Sequence, residues 1–148
     1  MGAGGATYGV LHPLLDARPK LLVVANRTID KAVALVERAR QKSPGHDLAA
    51  KPYDGLDGAQ FDLVINATSA GLRDEMPPLP PTVFAPGALV YDMVYARQPP
   101  FMTFAQRHGA RTADGLGMLV EQAAEAFLIW RGVRPATRAV IAAMRDRT

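Results

Sequence analysis

The chain has 148 residues, enough for one domain with a substantial core. Hydrophobic residues make up 49% and charged residues 21%, and no apolar run approaches the length of a bilayer span. The net charge is only +3 and cysteine is absent, which excludes disulfide and thiol chemistry and fits a reducing cytoplasm.

In chain order, Gly2-Ala3-Gly4-Gly5-Ala6-Thr7 comes first and reads as a glycine-rich turn opening into a helix. This start lacks the basic and apolar regions of a signal peptide, and Ala6 stands where myristoylation wants Ser or Thr. Ala6, Val10 and Leu14 space a helix from Gly5 to about Leu15, with Pro13 shortening or kinking its last turn. Lys20–Ala25 is a continuous apolar run of the kind buried on both faces of a parallel sheet. Thr28 is the expected N-cap of a helix carrying Ala32, Leu35, Val36 and Ala39 on one stripe, ended by Pro44-Gly45.

A weak strand near Leu48–Ala50 and a turn over Tyr53–Gly58 precede a second buried-strand pattern, Phe61–Asn66. Met76–Pro81 must be loop. Ala88–Met93 is the next strand, Pro99 and Pro100 start a helix closed by Gly109, and Arg111–Ala113 is a short strand. Leu116, Val120, Ala123, Phe127 and Trp130 mark the longest helix, capped by Gly132, and Pro135 starts a last helix to about Arg145. Strands alternating with helices predict an α/β fold: a Rossmann-like, doubly wound parallel sheet in a three-layer αβα sandwich. Residues 1–148 are expected to form one Rossmann-like domain with C-terminal helices. Only Met1 precedes the glycine turn, so the sheet is expected without its first strand, leaving two exposed strand edges.

Ligands of such sheets bind beyond the C-terminal strand ends, which selects the glycine turn, Asn26-Arg27-Thr28, Asn66–Gly71 and Asp92–Tyr95. The glycine turn is not a strict G-x-G-x-x-G, and by itself reads equally as a phosphate loop or a helix-capping loop. Asn26-Arg27 falls where a dinucleotide fold reads the ribose, roughly 20 residues on. A carboxylate there favours NAD. Asn beside Arg27, with Lys31 one turn later, favours the 2′-phosphate of NADP over a merely solvated helix start. Asn66 and Thr68 offer amide and hydroxyl groups to a cofactor. Ser69 lacks the flanks of a nucleophile, and His12, His46 and His108 lack metal-ligand spacing. By pattern alone Tyr95 is a loop tyrosine and Gln122 a surface glutamine. The C-terminal arginines read as a solvated helix face rather than a nucleic-acid surface.

Taken together, G-A-G-G-A at Gly2–Ala6, N-R-T at Asn26–Thr28, N-A-T-S-A-G at Asn66–Gly71, Y-D-M-V-Y at Tyr91–Tyr95 and D-G-L-G-M-L-V-x-Q-A at Asp114–Ala123 resemble the shikimate dehydrogenase family, in order and spacing from end to end. The likeness is to that family's C-terminal, NADP-binding domain. It implies an oxidoreductase of the chorismate pathway that reduces 3-dehydroshikimate to shikimate with NADPH. By the resemblance, Gly2, Ala3, Gly4, Gly5 and Ala6 hold the pyrophosphate, and Asn26, Arg27, Thr28 and Lys31 the adenosine 2′-phosphate. Met93 and Gly115 line the nicotinamide, and Tyr95 and Gln122 reach the substrate. The family's Lys–Asp proton-transfer pair belongs to its N-terminal domain and has no counterpart among these residues, so no catalytic residue and no metal ligand is expected here. The chain is therefore read as the cofactor half of a longer enzyme, inactive alone. Its expected partners are the small-molecule substrate, without nucleic acid or membrane, and a second copy or the N-terminal domain. The alternatives are a non-catalytic or partner-completed NADP-binding module, and a quinate-using relative.

Overall fold

A computed structural model describes residues 1–70, 75–95 and 99–146; Gly71, the last residue of the N-A-T-S-A-G motif, lies outside them. Helix α1 (Gly5–Asp16) follows the glycine turn and runs through Pro13 until Arg18, at φ 52, turns the chain. Strand β1 (Leu22–Ala25), helix α2 (Ile29–Lys42) and strand β2 (Leu48–Lys51) come next. A short 3-10 turn at Asp54–Leu56 leads to β3 (Phe61–Asn66), and another at Pro81–Val83 to β4 (Phe84–Asp92). Helix α3 (Pro100–Arg107), strand β5 (Arg111–Asp114), helix α4 (Leu116–Arg131) and helix α5 (Arg138–Arg145) complete the fold.

All strand pairs are parallel, as the apolar runs predict, but they form two sheets, β1-β2 and β3-β4-β5. In the doubly wound order 3-2-1-4-5-6, deleting the first strand leaves these two groups on either side of a gap. Among the described residues, only the first two cross it. Gly2 N–H donates to Ala25 O at 2.8 Å, Ala67 N–H to Met1 O at 3.0 Å, and the Met1 ammonium to Ile65 O at 2.6 Å. Met1 thus occupies the last residue position of a strand that would lie between β1 and β3.

Successive strand residues point to opposite faces, and β1 shows it: Val24 and Ala25 belong to different cores. Val24 packs with Leu11, Leu15, Leu35, Val36 and Leu48 under α1 and α2. Ala25 packs with Leu56, Val64, Val83, Val90, Phe101 and Ala105 on the other side, towards α3. This is the three-layer α/β Rossmann-like architecture.

Four local expectations are corrected. In α1 the buried residues are Thr7, Leu11 and Leu15, whereas Val10 and Leu14 face the gap between the sheets. Strand β4 begins at Phe84, because the β3–β4 register shifts between Phe61 and Leu63 and the longer strand carries Pro86 and Gly87 across that shift. Helix α5 starts at Arg138 rather than Pro135. The connection before it is tied to α4, where Arg134 pairs with Glu121 at 2.6 Å and Thr137 Oγ1 donates to the same carboxylate at 2.6 Å. Of the expected α4 stripe only Leu116 and Val120 are buried; Ala124 is buried in place of Ala123, and Phe127 and Trp130 are exposed, Trp130 at 77%. Among the described residues no helix is long and apolar enough to cross a membrane.

Candidate functional site

A cleft of about 470 Å³ opens at the C-terminal ends of β1 and β3. One wall is the glycine turn and the start of α1, from Gly2 to Ala6. Gly2 has φ +94, and a Cβ there would lie 3.1 Å from Ala67 O and 3.2 Å from Thr68 Cγ2, so only glycine lets the turn pass this close to the β3 exit. Gly4 and Gly5 face open space where side chains would stand. Gly4 is the N-cap of α1 and supplies no side-chain cap. The first-turn N–H groups of this 12-residue helix therefore meet the cleft unscreened, with the positive end of the helix dipole behind them.

The second wall comes from the end of β1. Asn26 closes its own turn by donating from Nδ2 to Thr28 O at 2.8 Å. Thr28 is the N-cap of α2, as its position predicts, but its hydroxyl makes no capping hydrogen bond. Arg27, Thr28 and Lys31 are exposed along this wall. Both cations point to an anionic ligand, and the fork of Arg27 suits a phosphate.

The third wall, Ala67 to Ala70, is positioned by a buried polar pair. Asn66 and Asp92 are fully buried at the ends of β3 and β4. Asn66 donates from Nδ2 to Asp92 Oδ2 at 2.9 Å, and its Oδ1 accepts from Thr68 Oγ1 at 2.7 Å and Thr68 N–H at 3.1 Å. The other Asp92 oxygen accepts from Val94 N–H at 2.9 Å. The expected contact role of Asn66 is corrected: both ends of its amide are already used, and it reaches the cleft only through Thr68, which does line it.

Met93 and Gly115 lie outside the cleft but against each other. A Cβ on Gly115 would stand 2.7 Å from the Met93 carbonyl carbon, and Gly115 N–H donates to Val94 O at 3.1 Å. Tyr95, 40% exposed, and Gln122, exposed on α4, do not line the cleft either. Sequence reasoning missed Tyr53, which is buried in the cleft floor, and the cover of Glu75 to Pro78. Burial pushes the Tyr53 phenol above its ordinary value, and the charge of Arg27 pulls the other way. Tyr53 sits in a turn-rich segment without periodicity, so no local signal marks it. Among the described residues no cluster of His, Cys, Asp and Glu could hold a metal.

A family model described as the Shikimate 5′-dehydrogenase C-terminal domain matches residues 115–145. A "Shikimate dehydrogenase (NADP(+))" of Methylobacillus flagellatus is 58% identical over 98% of this chain and 53% of its own length. The crystal structure of an Ael1 enzyme from Pseudomonas putida superposes with a TM-score of 0.86 at 52% identity, over 95% of this chain and 51% of the other. Shikimate 5-dehydrogenase from Thermus thermophilus, in complex with NADP(H) and shikimate, superposes at 0.77 with 33% identity, over 99% and 53%. The chain spans about half the length of the relatives it matches.

Proposed function

We propose that this chain, similar throughout its length to one half of shikimate dehydrogenases and carrying the match to their C-terminal domain, is the NADP-binding part of an NADPH-dependent reductase of 3-dehydroshikimate. The carrying observation is the composition of the cleft. An uncapped helix N-terminus and side-chain-free Gly4 and Gly5 face two exposed cations, Arg27 and Lys31, with no Asp or Glu at the end of β1. These residues fit a dinucleotide bearing an extra phosphate. The space over Gly4 and Gly5 is where a pyrophosphate would receive N–H groups. Arg27 would pair with the 2′-phosphate, Lys31 would add charge, and Thr28 would offer its uncommitted hydroxyl.

Beyond the cleft, Gly115 allows the α4 turn to sit on the Met93 backbone, where the two residues would shape the nicotinamide end. Tyr95 and Gln122 stand exposed past that point and would meet substrate. When bound, NADPH supplies the hydride for the ketone carbon. The proton for the new alcohol oxygen is assigned to the Lys–Asp pair of the family's other domain, so this chain alone is expected to show negligible turnover. Its residues bind and orient. The reading includes a cytoplasmic location and completion by the catalytic domain or by a second copy.

Calorimetry of NADP and NAD against the folded chain tests the proposal. Tighter binding of NADP, by about tenfold or more, is expected. Equal affinity would remove Arg27 and Lys31 from a 2′-phosphate role. A partner-completed module is the second reading, set apart from the first by whether the chain alone binds NADP. A quinate-using relative would share the same cofactor cleft.

A further inference from the structure

Parallel register brings Tyr53 to the same end of the sheet as Arg27. Ala25 of β1 is paired with Lys51 of β2, and Asn26 N–H donates to Lys51 O at 3.2 Å. Arg27 stands two residues past the end of β1, and Tyr53 two residues past the end of the neighbouring β2. Both line the cleft.

The turn that carries Tyr53 is fixed locally. Pro52 has a set φ and no N–H to satisfy. Its carbonyl accepts from Gly55 N–H, and the Tyr53 carbonyl accepts from Leu56 N–H, each at 3.2 Å. Lys51 Nζ is spent on the same turn, donating to Gly55 O at 3.2 Å. The Tyr53 ring belongs to the core of Leu56, Val64, Leu79 and Val83, and the residue is only 8% exposed.

Its hydroxyl is the unusual part. It makes no hydrogen bond among the described residues, although a buried tyrosine ordinarily finds a partner. Thr7 Oγ1 is the one wholly enclosed side-chain N or O without a partner among those residues, so the Tyr53 oxygen keeps access to solvent. Burial pushes the phenol up, which keeps it an O–H donor at neutral pH, and the positive charge of Arg27 reaches it. A phenolic donor and a guanidinium at one place share one preference, an oxygen carrying negative charge. The hydrogen bond to such an oxygen is roughly twice as strong as one to a neutral base edge.

We propose that Tyr53 is a specificity-determining residue for the cofactor, its hydroxyl donating to an oxygen of the adenosine 2′-phosphate beside Arg27. This rests on the NADP reading of the cleft. It adds a neutral donor, held by the core, to two exposed and flexible cations. NAD carries a hydroxyl in place of that phosphate and gains little from Tyr53.

The test compares the parent chain with Tyr53→Phe and Arg27→Ala. Tyr53→Phe removes one oxygen and keeps the ring, and since no hydrogen bond is lost without ligand its melting temperature is expected at or above that of the parent. Calorimetry is run with NADP and with NAD, and phosphorus NMR follows the pH titration of the bound 2′-phosphate. For Tyr53→Phe, NADP affinity is expected to fall about tenfold and NAD affinity by less than about twofold. The 2′-phosphate, a monoester with a midpoint near about 6 when free, is expected to titrate lower on the parent and to move back up in Tyr53→Phe, because a donor to its dianion is gone. An NADP preference that Arg27→Ala removes and Tyr53→Phe leaves intact overturns the proposal and leaves the cofactor reading standing. Equal losses of NADP and NAD place the hydroxyl on the adenosine common to both and overturn it too, as does an unmoved phosphate midpoint. A parent with no preference for NADP overturns the cofactor reading, and the proposal with it.

Discussion

Gly115→Ala isolates a single steric contact between the start of α4 and the exit of β4. Gly115 has φ −77, which alanine adopts freely, so the effect is one of space and not of backbone strain. The new methyl would stand 2.7 Å from the Met93 carbonyl carbon and 3.2 Å from its Cα, and closer still to the carbonyl oxygen. All of these are rigid backbone atoms, so relief requires the two turns to separate by about 1 Å, to ordinary van der Waals distance. That movement breaks the 3.1 Å bond from Gly115 N–H to Val94 O. Overpacking costs about 1–3 kcal/mol and the lost hydrogen bond about 1 kcal/mol more, for a total of about 2–4 kcal/mol. With a urea m-value of ~2 kcal/mol/M the unfolding midpoint falls by about 1–2 M. Gly117→Ala is the control. It has open space at its Cβ and sits two residues further along in α4, where alanine gains up to about 1 kcal/mol of helix propensity. A Gly115→Ala midpoint within about 0.3 M of the parent, or an equal drop for Gly117→Ala, would refute the steric reasoning.

Arg27→Ala is expected to weaken NADP binding by about tenfold or more and NAD binding by less than about threefold, read by calorimetry. In the chain that begins at Met1, burial lowers the terminal amine from 8.0 to about 6. Between those values the unfolded state holds a proton that the folded state has released, so stability rises from pH 6 to pH 8 by up to about 3 kcal/mol. N-terminal acetylation, which leaves a neutral N–H donor, should flatten that step in urea titrations, and an unchanged step would assign it to other groups. Asp92→Ala removes both acceptors from Asn66 Nδ2 and Val94 N–H inside a buried site, at a cost of about 2–4 kcal/mol, with faster amide exchange at Thr68 and Val94. Unaltered exchange at those two amides would mean that the pair does not position the third wall.

Elements with their own strong signal were legible before any fold was known. The apolar run Lys20–Ala25 contains strand β1 from Leu22, Phe61–Asn66 is strand β3, and the stripe of Ala32, Leu35, Val36 and Ala39 and the glycine cap at Gly132 (φ 72) fall where periodicity and capping rules put them. So do the three stretches that meet in the cleft, because parallel strands deliver their C-terminal loops to one edge of a sheet. Asn66 shows where that reasoning stops. Its place at a strand end marked it as a ligand contact, but whether its amide meets a cofactor or a buried aspartate depends on Asp92, 26 residues away.

What the sequence by itself determined was the kind and order of the elements and the residues at their ends, because those depend on neighbours along the chain. Only the tertiary structure decided which apolar side chains are covered. Val10 and Leu14 carry helical spacing yet look into a slot, and Trp130 continues a clean stripe yet stands in solvent. Periodicity records which face a residue occupies, whereas burial requires a surface opposite. Among the described residues β1 and β3 are not paired with each other, and the strands form two sheets there.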